Sequence, residues 1–260
     1  FALKKWLEKH GHEVQIINYR PPYHMVRYVP KKNPFMAARG TWRKNGKFSF
    51  VKRAYTSARS FARCLKDNKR QVDRAKYAKF TEFNSNYLNE TKNYKSLSAL
   101  QKDPPNMDLY ISGSDQLWNP ELLDATLDGA YFLNFGNKNT RKITYAVSAK
   151  EHYSEGEKQK LKELSRSLDA ISIREANQDV VDSVNLPVHV CIDPTLLLDQ
   201  ADYLPLESKR LEPAPYLFVY GFENTEIIDH VVHTIADAMN LKIINGCPHR
   251  IRLTGECIKV

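Results

Sequence analysis

Two hydrophobic periods alternate along this chain, and the switches between them mark its elements. Leu3, Trp6 and Leu7 recur at helical spacing over Phe1 to His10, and His10-Gly11 supplies a stop. Glu13 to Asn18, with Val14, Ile16 and Ile17, reads as a strand that Arg20-Pro21-Pro22 ends. Helix, glycine stop and strand make half of a crossover unit, whose other strand is expected upstream of Phe1. Tyr23 to Gly46 is irregular. Phe48 to Leu65 and Val72 to Tyr87 are expected to be helices with basic outer faces, and Leu97 to Pro105 a linker. Further on, apolar runs at Leu109–Ser112, Lys142–Val147, Asp169–Ile173 and Val188–Ile192 predict strands. Between them Ser154 can cap a helix carrying Glu155 and Glu157 in its first turn and Leu161, Leu164 and Leu168 on one face. Alternating strands and helices predict an α/β fold with a parallel, doubly wound sheet. After a segment rich in proline (Pro205, Pro213, Pro215), Tyr216–Tyr220, Thr225–Asn240 and Leu241–Asn245 repeat strand, helix, strand as the start of a second domain.

The first of the later strands organises the rest. Leu109 to Ser112 breaks abruptly into Gly113-Ser114-Asp115, residues that favour tight turns, followed by Gln116, Trp118, Asn119 and Pro120. Ligands of open α/β sheets sit at the carboxyl ends of strands. The Gly113-Ser114-Asp115-Gln116 cluster, with the amphipathic Trp118 and Asn119, is therefore a candidate site for a polar, sugar-like ligand. The alternative is a local turn or helix cap in which Trp118 only packs.

Composition narrows the classes. The chain has 260 residues, enough for one large or two medium domains, and no apolar run approaches the ~18 residues of a membrane span. Cys64, Cys191, Cys247 and Cys257 have no CxxC spacing, which argues against a zinc ribbon or a disulfide framework and for a reducing, cytoplasmic setting. Cys191, in an apolar run, is expected to be an inert core thiol. The net charge of +9 is uneven: residues 20–80 carry 18 Lys and Arg against Asp67 and Asp73, a formal +16, and the remainder is at −7. Such a block suits an anionic substrate, a membrane surface or nucleic acid, although no nucleic-acid motif accompanies it. A solvated helical insertion explains it as well.

Arg174, at the end of a strand beside Glu175, can hold a carboxylate or phosphate bidentately, or form a structural ion pair with a nearby acid. Asp193-Pro194 ends another strand, where the carboxylate can cap a turn, orient a catalytic group or accept from a ligand hydroxyl. His230, His233 and Asp237 share one helix face, but no further metal ligand is evident, so no metal is expected. No P-loop, GxGxxG or Ser-His-Asp order is present.

In series, these residues resemble the polysaccharide pyruvyl transferase family. The likeness runs through Gly11-His12-Glu13-Val14-Gln15-Ile16-Ile17-Asn18-Tyr19-Arg20-Pro21 and Ser112-Gly113-Ser114-Asp115-Gln116-Leu117-Trp118-Asn119-Pro120. It continues through Ala130-Tyr131-Phe132-Leu133-Asn134-Phe135, Ile143-Thr144-Tyr145-Ala146-Val147-Ser148, Ile171-Ser172-Ile173-Arg174-Glu175 and Asp193-Pro194-Thr195-Leu196-Leu197.

The resemblance implies two Rossmann-like domains in a GT-B-like arrangement, 1–204 with a basic helical insertion at about 23–100 and 216–260, joined by a linker at 205–215. It implies transfer of the pyruvyl group of phosphoenolpyruvate onto two hydroxyls of a surface-polysaccharide precursor, giving a cyclic ketal. Phosphoenolpyruvate is then a donor substrate, and no cofactor is implied. Arg174 is the expected donor-anion contact, and Ser114, Asp115, Gln116, Trp118 and Asn119 are expected to shape the sugar side. Relatives carry a first strand with a glycine-containing turn before the first helix, and a His with a basic residue in the second domain. Neither lies in these residues, so part of the catalytic set is expected to be missing. The expected partners are the small-molecule donor and a glycan or lipid-linked acceptor, not nucleic acid, with the 20–80 block as a peripheral contact to the inner face of the membrane. The alternatives are a non-catalytic binding module for anionic glycan or membrane surface, and a glycosyltransferase-like enzyme.

Overall fold

The computed structural model describes residues 1–23, 69–123, 126–210, 212–221, 223, 225–247, 251–255 and 257–259. They form two units, Phe1–Asp199 and Gln200–Val260, with small parallel sheets of α/β type.

In the first unit, helices α1 (Ala2–Lys9), α2 (Lys69–Tyr87) and α3 (Leu97–Lys102) precede the sheet. The segment expected to be a strand near Val14 makes only isolated parallel bridges, Ile16 with Glu90 and Tyr19 with Tyr94. The expected linker at Leu97 is instead α3. Ser96 caps it by accepting from the Ala99 N–H at 3.2 Å, and Leu100 buries its inner face. The expected helix at 48–65 lies outside the described residues.

Strands β1 (Leu109–Ser112) and β2 (Arg141–Thr144) pair in parallel, as do β3 (Ile171–Ile173) and β4 (Val188–Val190). Bridges from Ile143 to Ala170 and from Val147 to Ile173 join the two pairs, so the strands lie side by side in chain order. The β2–β3 seam is interrupted at Tyr145-Ala146, where Ala146 has φ 47. Two hydroxyls take over there: Thr144 Oγ1 accepts from Ser172 N–H at 2.8 Å and donates to Ser172 C=O at 2.9 Å. Ser172 Oγ accepts from Ala146 N–H at 3.0 Å. The seam thus stays hydrogen-bonded although the ladder is broken.

Helix α4 (Glu155–Leu164) begins with a capping box between Ser154 and Glu157, and α5 (Gln178–Ser183) is capped by Asn177. The expected helical continuation to Leu168 fails, because a 3-10 turn at Ser165–Ser167 ends the helix. The core beneath these helices gathers Trp118, Phe132, Leu100, Leu161, Val180, Ile171 and Ile173. β4 is not the buried strand its apolar run suggests. Among the described residues it pairs only with β3, and Val190 and Ile192 are 59% and 55% exposed, with Cys191 part-exposed between them.

The second unit has β5 (Tyr216–Val219), α6 (Glu226–Ala238), β6 (Lys242–Asn245) and β7 (Ile258–Lys259). The parallel order is β5-β6-β7. Thr225 caps α6 through the Ile228 N–H. β7 is too short to leave a periodic signal.

Candidate functional site

The turn after β1 is built around Gly113. Its φ is +151, and a Cβ there would lie 1.9 Å from the Tyr145 carbonyl oxygen. No side chain can stand at this point without moving backbone. The same approach seats the turn against the β2 extension: Tyr145 N–H donates to Ser112 C=O at 2.9 Å. Beyond it the Asp115 carbonyl accepts from Leu117 N–H at 2.7 Å and Ser148 N–H at 3.1 Å. Two main-chain bonds therefore fix the Asp115 backbone while its side chain faces solvent.

Arg174 and Asp193 arrive at this turn from the ends of β3 and β4. Arg174 Nη1 donates to Asp193 Oδ2 at 3.0 Å and to the Ser114 carbonyl at 3.3 Å, and Nε donates to Glu175 Oε1 at 2.6 Å. Asp193 also accepts from Ser114 Oγ at 3.5 Å, Thr195 N–H at 2.9 Å and Thr195 Oγ1 at 2.7 Å. Partial burial pushes the Asp193 carboxyl up, but the Thr195 bonds and Arg174 together outweigh it and hold the group below the ordinary carboxylate range. Glu175 first, then Asp193, fixes Arg174 in its charged form.

Nε and Nη1 of Arg174 are thus spent on protein. Nη2 is left without a partner among the described residues, so the bidentate grip expected from the fork across two nitrogens narrows to one nitrogen with two N–H groups. Arg174, Glu175 and Asp193 sum to one negative charge. A phosphate here requires more cations than Arg174.

The structure brings together Gly113, Ser114, Arg174 and Asp193, with Asp115 next in the turn. It places two predicted residues elsewhere. Trp118 is 0% exposed, stacked on Phe132 at 4.5 Å with its Nε1 donating to the Tyr131 carbonyl at 3.4 Å. It is a core residue and does not shape the sugar side. Asn119 caps the 3-10 turn Pro120–Leu122 through the Glu121 N–H and donates to Gln116 Oε1 at 3.2 Å. Its amide is engaged in local structure, and Gln116 is exposed beside it.

A tyrosine cluster beside the turn escaped the sequence reading. Tyr19 and Tyr23 both donate to Asp128 Oδ2 at 2.6 Å, while Asp128 Oδ1 accepts from the Ala130 N–H. Tyr131 stands edge-on to Tyr19 at 5.7 Å, and its carbonyl accepts from Ser112 Oγ at 2.7 Å. Burial pushes the Tyr131 phenol up to about 12, and the charges of Asp128 and Asp115 push the same way. Tyr19 and Tyr23 are raised further, by burial and then by Asp128. All three phenols are neutral at physiological pH, and Tyr19 and Tyr23 act as donors. No spacing rule connects Tyr19 with Asp128, 109 residues apart.

Among the described residues no group of three or more His, Cys, Asp or Glu could hold a metal ion. In the second unit, His233 turns to Asp229 at 3.5 Å and Thr254 at 3.4 Å rather than to His230 and Asp237. Among the described residues no helix is long and apolar enough to cross a membrane.

A family model described as polysaccharide pyruvyl transferase matches residues 1–256. The chain belongs to this family. No curated protein and no solved structure matches it. The Gly113 turn and Arg174 stand at the carboxyl ends of parallel strands, the end at which open α/β sheets bind ligands.

Proposed function

We propose that the protein transfers the pyruvyl group of phosphoenolpyruvate onto two hydroxyls of a sugar in a surface-polysaccharide precursor, forming a ketal and releasing phosphate. The observation that carries this reading is Arg174, held by Asp193 and Glu175 at the end of β3 with Nη2 left for an anion. Buttressed guanidinium groups of this kind offer charge-assisted bonds at little ordering cost. The local trio is net negative, so the donor phosphate and carboxylate need further cations. The +16 block of residues 20–80 is the richest source in the chain, and Tyr23, within it, is tied to Asp128 beside the turn. The same reading carries two Rossmann-like domains in a GT-B-like arrangement, and an acidic, sugar-bearing precursor at the inner face of the membrane.

The test is phosphate release from phosphoenolpyruvate in the presence of p-nitrophenyl hexosides, with the ketal methyl group followed by NMR. Hexoside-dependent release with a new ketal methyl signal supports the reading. Release that is indifferent to every hexoside, or none at all, rejects it.

A further inference from the structure

Three carboxylates stand at or next to the carboxyl ends of β1, β3 and β4, and their surroundings differ. Asp193 accepts from Thr195 twice, from Arg174 and from Ser114, which leaves neither oxygen open and makes it a weak base. Glu175 braces Arg174 Nε at 2.6 Å. Asp115 gives one oxygen, Oδ1, to the Gln116 N–H at 2.7 Å, and its Oδ2 has no partner among the described residues. Its side chain is exposed while its main chain is pinned twice, so an open carboxylate oxygen is presented from a rigid turn.

From this geometry we infer that Asp115 is the general base that deprotonates the attacking sugar hydroxyl. The inference rests on the pyruvyl-transfer reading above. As the hydroxyl oxygen bonds to C2 of the enol phosphate, its proton passes to Asp115 Oδ2, and the π pair of the C2–C3 bond takes a proton from water at C3. The C2–O bond to the phosphate group then breaks, and phosphate leaves with that electron pair and the proton held by Asp115. The second hydroxyl bonds to the C2 cation so formed, and its proton neutralises the hydroxide left by the water that protonated C3. Asp128 cannot substitute as base, since Tyr19, Tyr23 and the Ala130 N–H occupy it.

The test compares wild type, Asp115→Asn and Asp115→Glu, with calorimetry for phosphoenolpyruvate binding and phosphate release with p-nitrophenyl hexosides for turnover. Asparagine keeps the Oδ1 acceptor for Gln116, and equal thermal unfolding of the variants verifies that the turn is intact. The expected result is donor affinity within about twofold of wild type and turnover lower by roughly a thousandfold in Asp115→Asn, with partial activity in Asp115→Glu. Turnover of Asp115→Asn within about tenfold of wild type overturns the assignment, because a base contributes roughly a hundredfold or more. Wild type that binds the donor but releases no phosphate with any hexoside overturns the pyruvyl-transfer reading and the assignment together. Wild type that does not bind the donor removes the pyruvyl-transfer reading itself, a failure distinct from that of Asp115.

Discussion

The turns after β1 and β4 each present an aspartate at the same end of one sheet, and their chemistry diverges because of what surrounds them. Asp193 is bound to Thr195, Ser114 and Arg174, and its role is to hold a guanidinium in place. Asp115 is fixed through its main chain and keeps a carboxylate oxygen open. Residue type and position at a strand end are therefore not enough to assign a role. The number of hydrogen-bond acceptor sites already filled separates a positioning carboxylate from a reactive one.

The comparison depends on a common platform, and removing that platform should have the largest effect. Trp118→Ala empties the stack on Phe132 and should lower unfolding stability by about 3–5 kcal/mol in denaturant titration. A ligand-contact role for Trp118 would instead weaken binding with stability nearly unchanged. Gly113→Ala forces a Cβ against the Tyr145 carbonyl at a positive φ and should cost about 3 kcal/mol, from strain and overpacking together. It should move both aspartates out of register.

The smallest effect concerns Asp193 and is read through pH. The Asp193 carboxyl is lowered in the folded state, so its stabilising contribution is complete above the unfolded carboxylate value, about 3.9, and is lost as pH falls through the lower folded value. Donor binding measured between pH 6 and pH 3 should weaken at the acid end as Arg174 is released, and Asp193→Asn should flatten that portion of the profile. An unchanged profile in Asp193→Asn would remove Asp193 from the anchoring of Arg174.

The sequence already pointed to the parallel α/β class, the Ser154 cap and the Gly113 turn, because these depend on local spacing and on the special backbone of glycine. It also pointed to Arg174 and Asp193 as strand-end residues, though not to each other, since 19 residues separate them and only the β3–β4 pairing closes the gap. For Trp118 the sequence left a ligand contact and a packing role both open, because an amphipathic ring suits either a sugar or a core, and burial is what distinguishes them. β4 was misjudged because an apolar run of that length does not distinguish a central strand from an exposed edge. The Tyr19, Tyr23 and Asp128 cluster left no signal, being assembled from segments more than a hundred residues apart.

The most direct measurement is calorimetric titration of phosphoenolpyruvate into the protein and into Arg174→Ala. The account predicts binding that the substitution weakens by more than about tenfold, roughly 1.4 kcal/mol, with unfolding stability little changed. Binding of equal strength in the two proteins would contradict it, because the donor anion would then be held by residues other than Arg174.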